Sequence, residues 1–306
     1  MVQRFVAICK ALCWGLLRKL PLQFNLDNFA IFCYNLNMKY DLHIHSNRSD
    51  GLFDPITVLD LAKQRGLECI SLTDHDTMKD TDQIIEHAKQ IGLGYLVGVE
   101  LSCVSGGEVH ILGYNIDYKA PGFAEEMEKI ANMRRERNRL IVEKLKEFGC
   151  DINLAELEKQ GSVGRGVLAR EMVKMGFCQT VAEVFEKYLG VGCCCYVQTK
   201  RLTPVEGIQF ILRYGGIPVL AHPKQLKIPF DSFEKFLKPL VLAGLGGIEA
   251  QYFTHNNAER NFYSKMAKKY KLVVTGGSDF HDYVHGVELG TKSFAPSGYT
   301  RKILGI

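Results

Sequence analysis

The sequence offers little evidence for a secreted, membrane-bound or strongly charged protein. Its ten cysteines include no CxxC pair and no regular spacing, so it indicates neither a disulfide framework nor a thiolate zinc site. The formal net charge is only +4, which is too small to indicate duplex DNA recognition or attachment to a membrane by charge alone. We therefore expect a protein of the reducing cytoplasm, and its oligomeric state stays open.

The sequence also lacks an apolar run long enough to cross a bilayer. The most apolar N-terminal stretch, residues 5–17, is interrupted by Lys10 and followed by two basic residues. It is shorter than the roughly 20 residues that a membrane-spanning helix needs. No small-residue cleavage site of a secretory signal precedes Pro21. We predict that residues 1–37 are an extension upstream of the true start, with a peripheral amphipathic helix as the alternative.

Short β-rich segments alternate with helical segments from Met38 onward. The predicted strands are residues 40–45, 69–73, 95–101, 109–116, 217–221, 247–252 and 273–275. The predicted helices between them are residues 55–65, 82–90, 204–214 and 259–270. This alternation is typical of a parallel α/β architecture.

The alternation is interrupted between Pro121 and Tyr196, where helical segments follow one another without strands. A long helix is predicted for residues 123–148 and a second for 167–175. We therefore predict an inserted α-helical subdomain. The predicted divisions are an extension at 1–37, a first α/β part at 38–119, the insertion at 120–196 and a second α/β part at 197–306.

The first candidate metal ligands lie in the segment Asp41-Leu-His43-Ile-His45. Residues two apart on a strand point the same way, so His43 and His45 can converge on one ion while Asp50 returns from the following loop. One His-x-His pair is weak evidence by itself, because two solvated histidines would look the same.

Further histidines and carboxylates lie at or near the ends of five other predicted strands. They are His75, Glu100, His110, His222, Asp279 and His281. Singly, each has an ordinary explanation, and His110 by itself is typical of a core histidine. Functional groups gather at the C-terminal ends of strands in α/β barrels, so we expect these side chains to converge. We also expect Asp74 or Asp76 to orient the imidazole of His75.

The nine candidate ligands are more than a single ion can use. Zinc-like ions take about four ligands, so the set predicts two or three divalent ions. Imidazole and carboxylate groups without thiolate suit manganese, iron or zinc.

The order of the motifs HxH, SDG, TDHDT, GVE, VHILGY, AHP and GGSDFH resembles the polymerase and histidinol phosphatase (PHP) superfamily over residues 38–306. The helical insertion is similar to that of its TrpH-like branch. The resemblance implies a distorted (β/α)7 barrel on which all nine residues bind a trinuclear metal centre. Manganese is the first expectation, with iron or zinc as alternatives. The resemblance also implies that a metal-activated hydroxide attacks a nucleoside 3′,5′-bisphosphate or a short RNA with a 5′-monophosphate.

The insertion contains candidate substrate contacts. Arg134 and Arg137 lie on the apolar stripe of the 123–148 helix and are predicted to face inward. As parts of a lid they would bind a substrate phosphate. Alternatively, they form ion pairs with carboxylates of the insertion itself. Arg165 lies in a segment that resembles the family's Gly-Arg-x-His motif, although Val167 stands in place of the histidine.

Tyr252 and His255 are further candidate contacts, for the base or ribose of a nucleotide. Packing of Tyr252 against the barrel rim is the alternative. Two other functions stay open at this point. A histidinol-phosphate-type phosphatase would act on a small substrate that needs no helical lid. A non-catalytic metal-binding protein is disfavoured, because every ligand position is filled.

Overall fold

The computed structural model describes residues 39–283, 287–291 and 294–306. The chain divides into two units, Met1–Met38 and Lys39–Ile306. The described residues belong to the second unit, so the prediction for residues 1–37 lies outside them. No helix within the described ranges is long and apolar enough to cross a membrane.

The first sheet contains three parallel strands in the order β1-β2-β3. They are β1 (Tyr40–Ile44), β2 (Cys69–Leu72) and β3 (Gly94–Tyr95), and they are connected by α1 (Pro55–Gln64) and α2 (Thr81–Gln90). The carboxylate of Asp54 accepts from two backbone N–H groups at the start of α1, which satisfies donors that a helix leaves free. Both helices lie close to their predicted positions.

The second sheet contains five strands and is mixed. They are β4 (Gly98–Val104), β5 (Glu108–Tyr114), β6 (Ile217–Leu220), β7 (Gly247–Tyr252) and β8 (Val273–Gly277), in that order. Strands β4 and β5 are antiparallel, as are β5 and β6, whereas β6, β7 and β8 are parallel. The expectation of parallel pairing throughout is therefore wrong for the first three strands, and the fold is mixed α/β.

The antiparallel pair results from a tight turn between β4 and β5. Only Ser105, Gly106 and Gly107 separate the two strands, and Gly106 has a positive φ of 68°. A loop this short cannot hold the crossover that parallel strands require, whereas it suits a hairpin. The pair of glycines is the sequence signal for this turn.

The single strand predicted at residues 95–101 is instead two strands in different sheets. The backbone leaves the first sheet after Tyr95 and enters the second at Gly98. Between them, the carbonyl of Val97 accepts from the backbone N–H of Asn115. A continuous apolar run does not reveal a change of partner strand, because every residue along it stays buried or half-buried.

Backbone contacts join the ends of the two sheets. Ile44 bridges Phe280 beyond β8, and His75 bridges Glu100 in β4, both in parallel register. The N–H of Asp279 donates to the carbonyl of His43 at 2.8 Å. The ends of β1, β2, β4 and β8 therefore lie side by side, so the polar side chains at these ends are brought together.

Between the two sheet regions, helices follow one another without strands. They are α3 (Phe123–Glu147), α4 (Leu154–Gln160), α5 (Arg165–Lys174) and α6 (Val181–Val184), followed by a π-helical turn at Phe185–Leu189. The first half of α3 packs in the sheet core through Phe123 and Met127. Its second half joins a separate hydrophobic cluster through Ile141 and Leu145. Helix α3 therefore connects the helical segment rigidly to the sheets.

Helices α7 (Pro204–Arg213) and α9 (Asn257–Lys269) flank the second sheet, close to their predicted positions. Two further helices, α8 (Phe230–Leu242) and α10 (Gly298–Leu304), were not predicted. Helix α8 contains Pro239, a residue that normally indicates the end of a helix. Its buried Phe233 and Leu237 pack in the sheet core, so tertiary packing stabilises it despite the proline.

Gly277 allows β8 to lie against β1 at the start of the polar cluster. A Cβ atom at this position would lie 2.4 Å from the Cβ of His43 and 2.6 Å from its backbone nitrogen. We expect Gly277→Ala to lower the free energy of unfolding by about 2–3 kcal/mol, since the overlap is with backbone that cannot move away. Urea unfolding followed by circular dichroism measures this change.

Gly298→Ala is the matched control for that substitution. A Cβ atom there would meet nothing within 4 Å, and the residue opens α10, where alanine is favourable. We expect its unfolding free energy to equal or slightly exceed that of the parent. Equal losses in the two variants would contradict the steric explanation.

Candidate metal centre

Two buried histidines of the candidate metal site lie in β1 and directly after it. His43 and His45 are both fully buried, and their ring centroids lie 5.2 Å apart. The alternate residue Ile44 packs in the hydrophobic core on the other face. Successive side chains of a strand point to opposite faces, so the histidines face the candidate site while Ile44 faces the core.

Glu100 lies at the centre of the cluster and is only 1% exposed. Its carboxylate is surrounded by five imidazoles. Its Oε1 lies 2.9 Å from Nδ1 of His110 and 2.9 Å from Nε2 of His222. Its Oε2 lies 3.3 Å from Nε2 of His43, 3.2 Å from Nε2 of His45 and 3.2 Å from Nδ1 of His75.

Burial alone would raise the pKa of Glu100. The imidazoles of His110, His43 and His75 instead hold that pKa well below its usual value. A carboxylate in this position is ionised and offers two oxygens to several neighbours at once. Glu100 is therefore suited to share its oxygens between two cations.

Asp50, Asp279 and His281 complete the cluster from the loops after β1 and β8. Oδ1 of Asp50 lies 3.2 Å from Nε2 of His281 and 3.6 Å from Nδ1 of His45. Oδ1 of Asp279 lies 3.1 Å from Nε2 of His45. Two carboxylates thus approach His45 from different loops.

The candidate ligands form four overlapping groups in which one ligand atom of each residue lies within 4.8 Å of the others. The groups are His45, Asp50, His75 and His281; His43, His45 and Asp279; His43, Glu100 and His222; and His75, Glu100 and His110. Each of the nine residues singled out in the sequence belongs to at least one group. The fold thus brings all nine together.

The donor atoms of this cluster fit divalent cations. Nε2 of His43 and Nε2 of His45 are buried and have no hydrogen-bond partner, although carboxylate oxygens of Glu100 and Asp279 lie within 3.4 Å of them. Buried imidazole nitrogens without partners are costly. A cation between nitrogen and carboxylate would satisfy both, and nitrogen with oxygen ligands suits first-row metals.

The aspartates beside His75 do not orient its imidazole, contrary to expectation. Nδ1 of His75 lies 3.4 Å from the hydroxyl of Ser102. Asp76 accepts from the backbone N–H of Ser102 at 2.9 Å and pairs with Arg134. Asp76 lies in a turn with a positive φ of 52°, and its two carboxylate oxygens are already hydrogen-bonded to Ser102 and Arg134.

Asp74 instead holds the loop that carries Asp50. It accepts from the backbone N–H of Ser46 at 2.8 Å and from the hydroxyl of Ser49 at 2.6 Å. Ser49 precedes Asp50 directly. The conformation of the Asp50 loop therefore depends on a carboxylate at the end of β2.

Glu249 is a buried carboxylate of the cluster that the sequence analysis missed. It is 0% exposed, and its Oε1 lies 3.0 Å from Nδ1 of His43. Its Oε2 accepts from the backbone N–H of His222 at 2.7 Å. The available signal was a single glutamate in the apolar strand Gly-Ile-Glu-Ala, which is like the Gly-Val-Glu segment of Glu100.

Arg134 of α3 is 5% exposed and reaches the strand ends. Its Nε and Nη2 donate to Oδ2 of Asp76 at 2.9 and 2.5 Å, and Nη2 also donates to the hydroxyl of Ser102. The alternative of an ion pair with carboxylates of the insertion itself is wrong for Arg134. Its partner belongs to the first α/β part and directly follows His75.

Arg137 is 4% exposed and lies one helical turn further along α3. Its guanidinium donates to the side-chain oxygen of the neighbouring Asn138, and it forms no ion pair within the described part of the chain. Burial and the charges of Arg134 and Arg201 lower the pKa of Arg137 to about 9. The positive charge of Arg137 is therefore poorly compensated in this state.

Arg165, at the start of α5, is held by an ion pair with Glu108 of β5. Its guanidinium also lies 5.7 Å from the ring centre of Phe185 and 5.6 Å from that of Tyr196. Glu108 accepts from both terminal nitrogens of Arg201 at 3.0 Å as well. One carboxylate thus faces several arginines close to His110.

The other two candidate substrate contacts are buried. The hydroxyl of Tyr252 donates to Oδ2 of Asp279 at 2.7 Å and accepts from Gln225 at 2.9 Å. Nδ1 of His255 lies 3.0 Å from the carbonyl of Ala250. Tyr252 is 1% and His255 is 2% exposed, so Tyr252 touches the cluster while His255 packs beside it.

Comparison with known proteins places this arrangement in a family. The family model described as the PHP domain matches residues 41–164. The chain is 35% identical over 274 residues to the 5'-3' exoribonuclease Rnm of Salmonella typhimurium, covering 86% of this chain and 92% of that protein. It is 32% identical over 247 residues to the 3',5'-nucleoside bisphosphate phosphatase of Chromobacterium violaceum, covering 79% and 86%.

A crystal structure from Bifidobacterium adolescentis, assigned as a metal-dependent phosphoesterase, shares the fold. It superposes with a TM-score of 0.77 at 26% sequence identity and covers 88% of this chain and 96% of that one. With its cluster of imidazoles and carboxylates, this chain belongs to the PHP domain family and is a metal-dependent phosphoesterase.

Proposed function

We propose that this phosphoesterase hydrolyses phosphate esters of nucleotides, either a nucleoside 3′,5′-bisphosphate or a short RNA with a 5′-monophosphate. One observation carries the proposal: the buried and poorly compensated Arg137 lies among arginines beside the nine-residue cluster. Such a site suits a substrate with one phosphate at the metals and another at the arginines. The names of the two relatives, a 5'-3' exoribonuclease and a 3',5'-nucleoside bisphosphate phosphatase, agree with RNA and nucleoside bisphosphates as substrate classes.

We propose that the nine candidate residues bind two or three divalent ions. Two ions can be held without any shared residue, one by His43, Glu100 and His222 and the other by His45, Asp50, His75 and His281. The remaining Asp279 and His110 form no group of their own, so a third ion requires shared ligands. Glu100 belongs to two groups and is the natural shared carboxylate.

Manganese is the metal that we propose first, with iron or zinc as alternatives, because imidazole and carboxylate ligands suit all three. When bound, such ions lower the pKa of a water molecule and stabilise negative charge on phosphoryl oxygens. The histidines and carboxylates of this chain would hold the ions at fixed positions. Their burial excludes bulk water, which strengthens the electrostatic interactions in the site.

We further propose that the two sheets form one distorted (β/α)7 barrel, with residues 120–196 inserted as a lid between 38–119 and 197–306. The bridges between the two sheets support the barrel. Two contacts support the lid. Arg170 of α5 donates to the carbonyl of Asp50 at 2.5 Å, and the N–H of Ser162 donates to the carbonyl of Arg48 at 2.7 Å.

A substrate phosphate would have to open the arginine cluster in order to enter. The cavity beside Arg134, Arg137 and Arg201 measures about 10 Å³, which is room for about one water molecule. Arg134 is already paired with Asp76, whereas among the described residues the guanidinium of Arg137 donates to a neutral amide. We therefore propose that Arg137 turns from Asn138 to the phosphate and that Arg134 and Arg165 contribute mainly positive potential.

For Tyr252 and His255 the contacts favour support of the site over binding of a base or ribose. The hydroxyl of Tyr252 is already bonded to Asp279. The imidazole of His255 is hydrogen-bonded to the backbone carbonyl of Ala250 and has almost no exposed surface. The base would then contact other residues at the rim of the lid.

Phosphate release by metal-loaded protein tests the proposed function. We expect chelator-treated protein reloaded with Mn²⁺ to hydrolyse adenosine 3′,5′-bisphosphate or a 5′-phosphorylated oligoribonucleotide, and chelator to abolish the activity. An oligoribonucleotide without the 5′-phosphate and histidinol phosphate serve as controls. Faster turnover of histidinol phosphate would favour the small-molecule alternative, and activity that survives complete metal removal would contradict the metal site.

A further inference from the structure

We infer that Glu249 is a positioning residue that fixes two proposed metal ligands at once, the imidazole of His43 and the backbone of His222. The inference rests on the proposed metal centre. Glu249 is not one of the nine candidate ligands and belongs to none of their four groups.

The position of Glu249 on β7 directs its carboxylate into the cluster. Its neighbours Ile248 and Ala250 are fully buried in the sheet core. Because side chains alternate along a strand, Glu249 points to the opposite face. It is itself fully buried, and a carboxylate remains stable there only if its oxygens are paired.

The first pairing determines which nitrogen of His43 carries the proton. Oε1 of Glu249 lies 3.0 Å from Nδ1 of His43. Carboxylate oxygens accept hydrogen bonds, so Glu249 holds a ring proton on Nδ1, and Nε2 is the nitrogen that would give up its proton when a metal ion binds. Nε2 then keeps its lone pair, and it faces oxygens of Glu100 and Asp279 at 3.3 and 3.4 Å. This is the tautomer that a metal ion at Nε2 requires.

The second pairing stabilises an unusual backbone conformation at His222. This residue has φ 25° and ψ 61°, a region that residues with a side chain rarely adopt, and Pro223 restricts it further. Its N–H donates to Oε2 of Glu249 at 2.7 Å. The same residue places its Nε2 2.9 Å from Glu100. Glu249 therefore connects ligands from β1 and from the loop after β6.

Substitution by glutamine separates this role from simple packing. Glu249→Gln keeps the shape but replaces one acceptor oxygen with an NH₂ donor. If the amide oxygen accepts from His222, the NH₂ group faces Nδ1–H of His43, and two donors oppose each other there. If the amide is reversed, two donors face each other at His222. Either arrangement disturbs a proposed ligand.

Metal affinity and the His43 tautomer are the measurements for this variant. We expect Glu249→Gln to weaken Mn²⁺ binding by about 10- to 100-fold in competition with a chelator. In protein loaded with diamagnetic Zn²⁺, long-range ¹H–¹⁵N spectra should show the His43 proton on Nδ1 and the metal on Nε2 in the parent, and this tautomer should be lost in the variant. Glu249→Asp, which keeps two acceptors at shorter reach, should recover part of the affinity. Glu234→Gln, on the remote helix α8, should bind Mn²⁺ like the parent.

The outcomes distinguish failure of this inference from failure of the proposed function. If the parent binds no divalent metal, the proposed metal centre is wrong and the positioning role of Glu249 fails with it. If the parent binds metal and Glu249→Gln binds it equally well with an unchanged tautomer, only the positioning role is overturned. A loss of folding stability without a tautomer change would likewise overturn it, because that result indicates packing alone.

Discussion

Glu100→Gln should lower kcat/KM for every phosphate ester that the enzyme hydrolyses by more than about 10³-fold, or roughly 4 kcal/mol of transition-state stabilisation. The carboxylate is the partner of five imidazoles and belongs to two of the four proposed ligand groups. Glutamine preserves its volume but removes the charge and one acceptor oxygen. Substituting a residue that only supports a metal ligand typically lowers activity by about 10- to 100-fold. Substituting a ligand shared by two ions should therefore lower activity by more.

Metal content and turnover together test this prediction. Elemental analysis of purified Glu100→Gln should find fewer bound ions than in the parent, and the loss should persist when excess Mn²⁺ is added. Glu128→Gln is a matched control, because Glu128 is an exposed carboxylate of α3 that pairs with Arg135. Full metal content with normal turnover in Glu100→Gln would show that the cluster is not the catalytic centre.

Arg137→Met should separate substrate binding from folding. We expect KM for a substrate with a terminal phosphate to rise about 10- to 100-fold, the range lost with one charge-assisted hydrogen bond. The free energy of unfolding should stay equal or increase, because methionine removes a buried charge that has no carboxylate partner among the described residues. Burial and the neighbouring arginines, which lower the pKa of Arg137 to about 9, disfavour the same charge. Initial rates with adenosine 3′,5′-bisphosphate and urea unfolding measure the two effects.

The two readouts together decide whether Arg137 is functional or structural. A structural arginine would destabilise the fold when it is replaced and would change KM little. Arg135→Met is the matched control, since Arg135 is the exposed arginine two positions earlier on the same helix. It should change neither KM nor stability appreciably. A fall in stability with unchanged KM in Arg137→Met would contradict the phosphate-binding role.

The nine candidate ligands could be selected from sequence because their signals are local. Most lie in short motifs in or just after an apolar strand, as in the His43 and His45 pair or the Gly-Val-Glu segment of Glu100. Strand alternation determines which side chains of a motif share a face. Parallel strand ends meet at one edge, so separate motifs were expected to lie together. The four ligand groups of the fold include all nine.

Roles that depend on contacts between distant segments could not be assigned in this way. Asp74 or Asp76 was expected to orient the imidazole of His75. Instead, Asp74 accepts from Ser49 in the Asp50 loop, and Asp76 pairs with Arg134. Glu249 was overlooked because its partners, His43 and His222, lie far away in the chain. A lone carboxylate in a strand has no sequence feature that reveals its partner.

The sequence by itself determined which residues are candidate metal ligands, where most strands and helices lie, and that a helical segment interrupts the α/β alternation. These features follow from side-chain chemistry and from periodicity over a few residues. Only the tertiary structure decided that β4, β5 and β6 pair antiparallel, that Arg134 pairs with Asp76, and that Arg137 forms no ion pair with a carboxylate among residues 39–283, 287–291 and 294–306. The physical reason is that pairing between distant groups depends on distance and burial, which are established only when the whole chain packs.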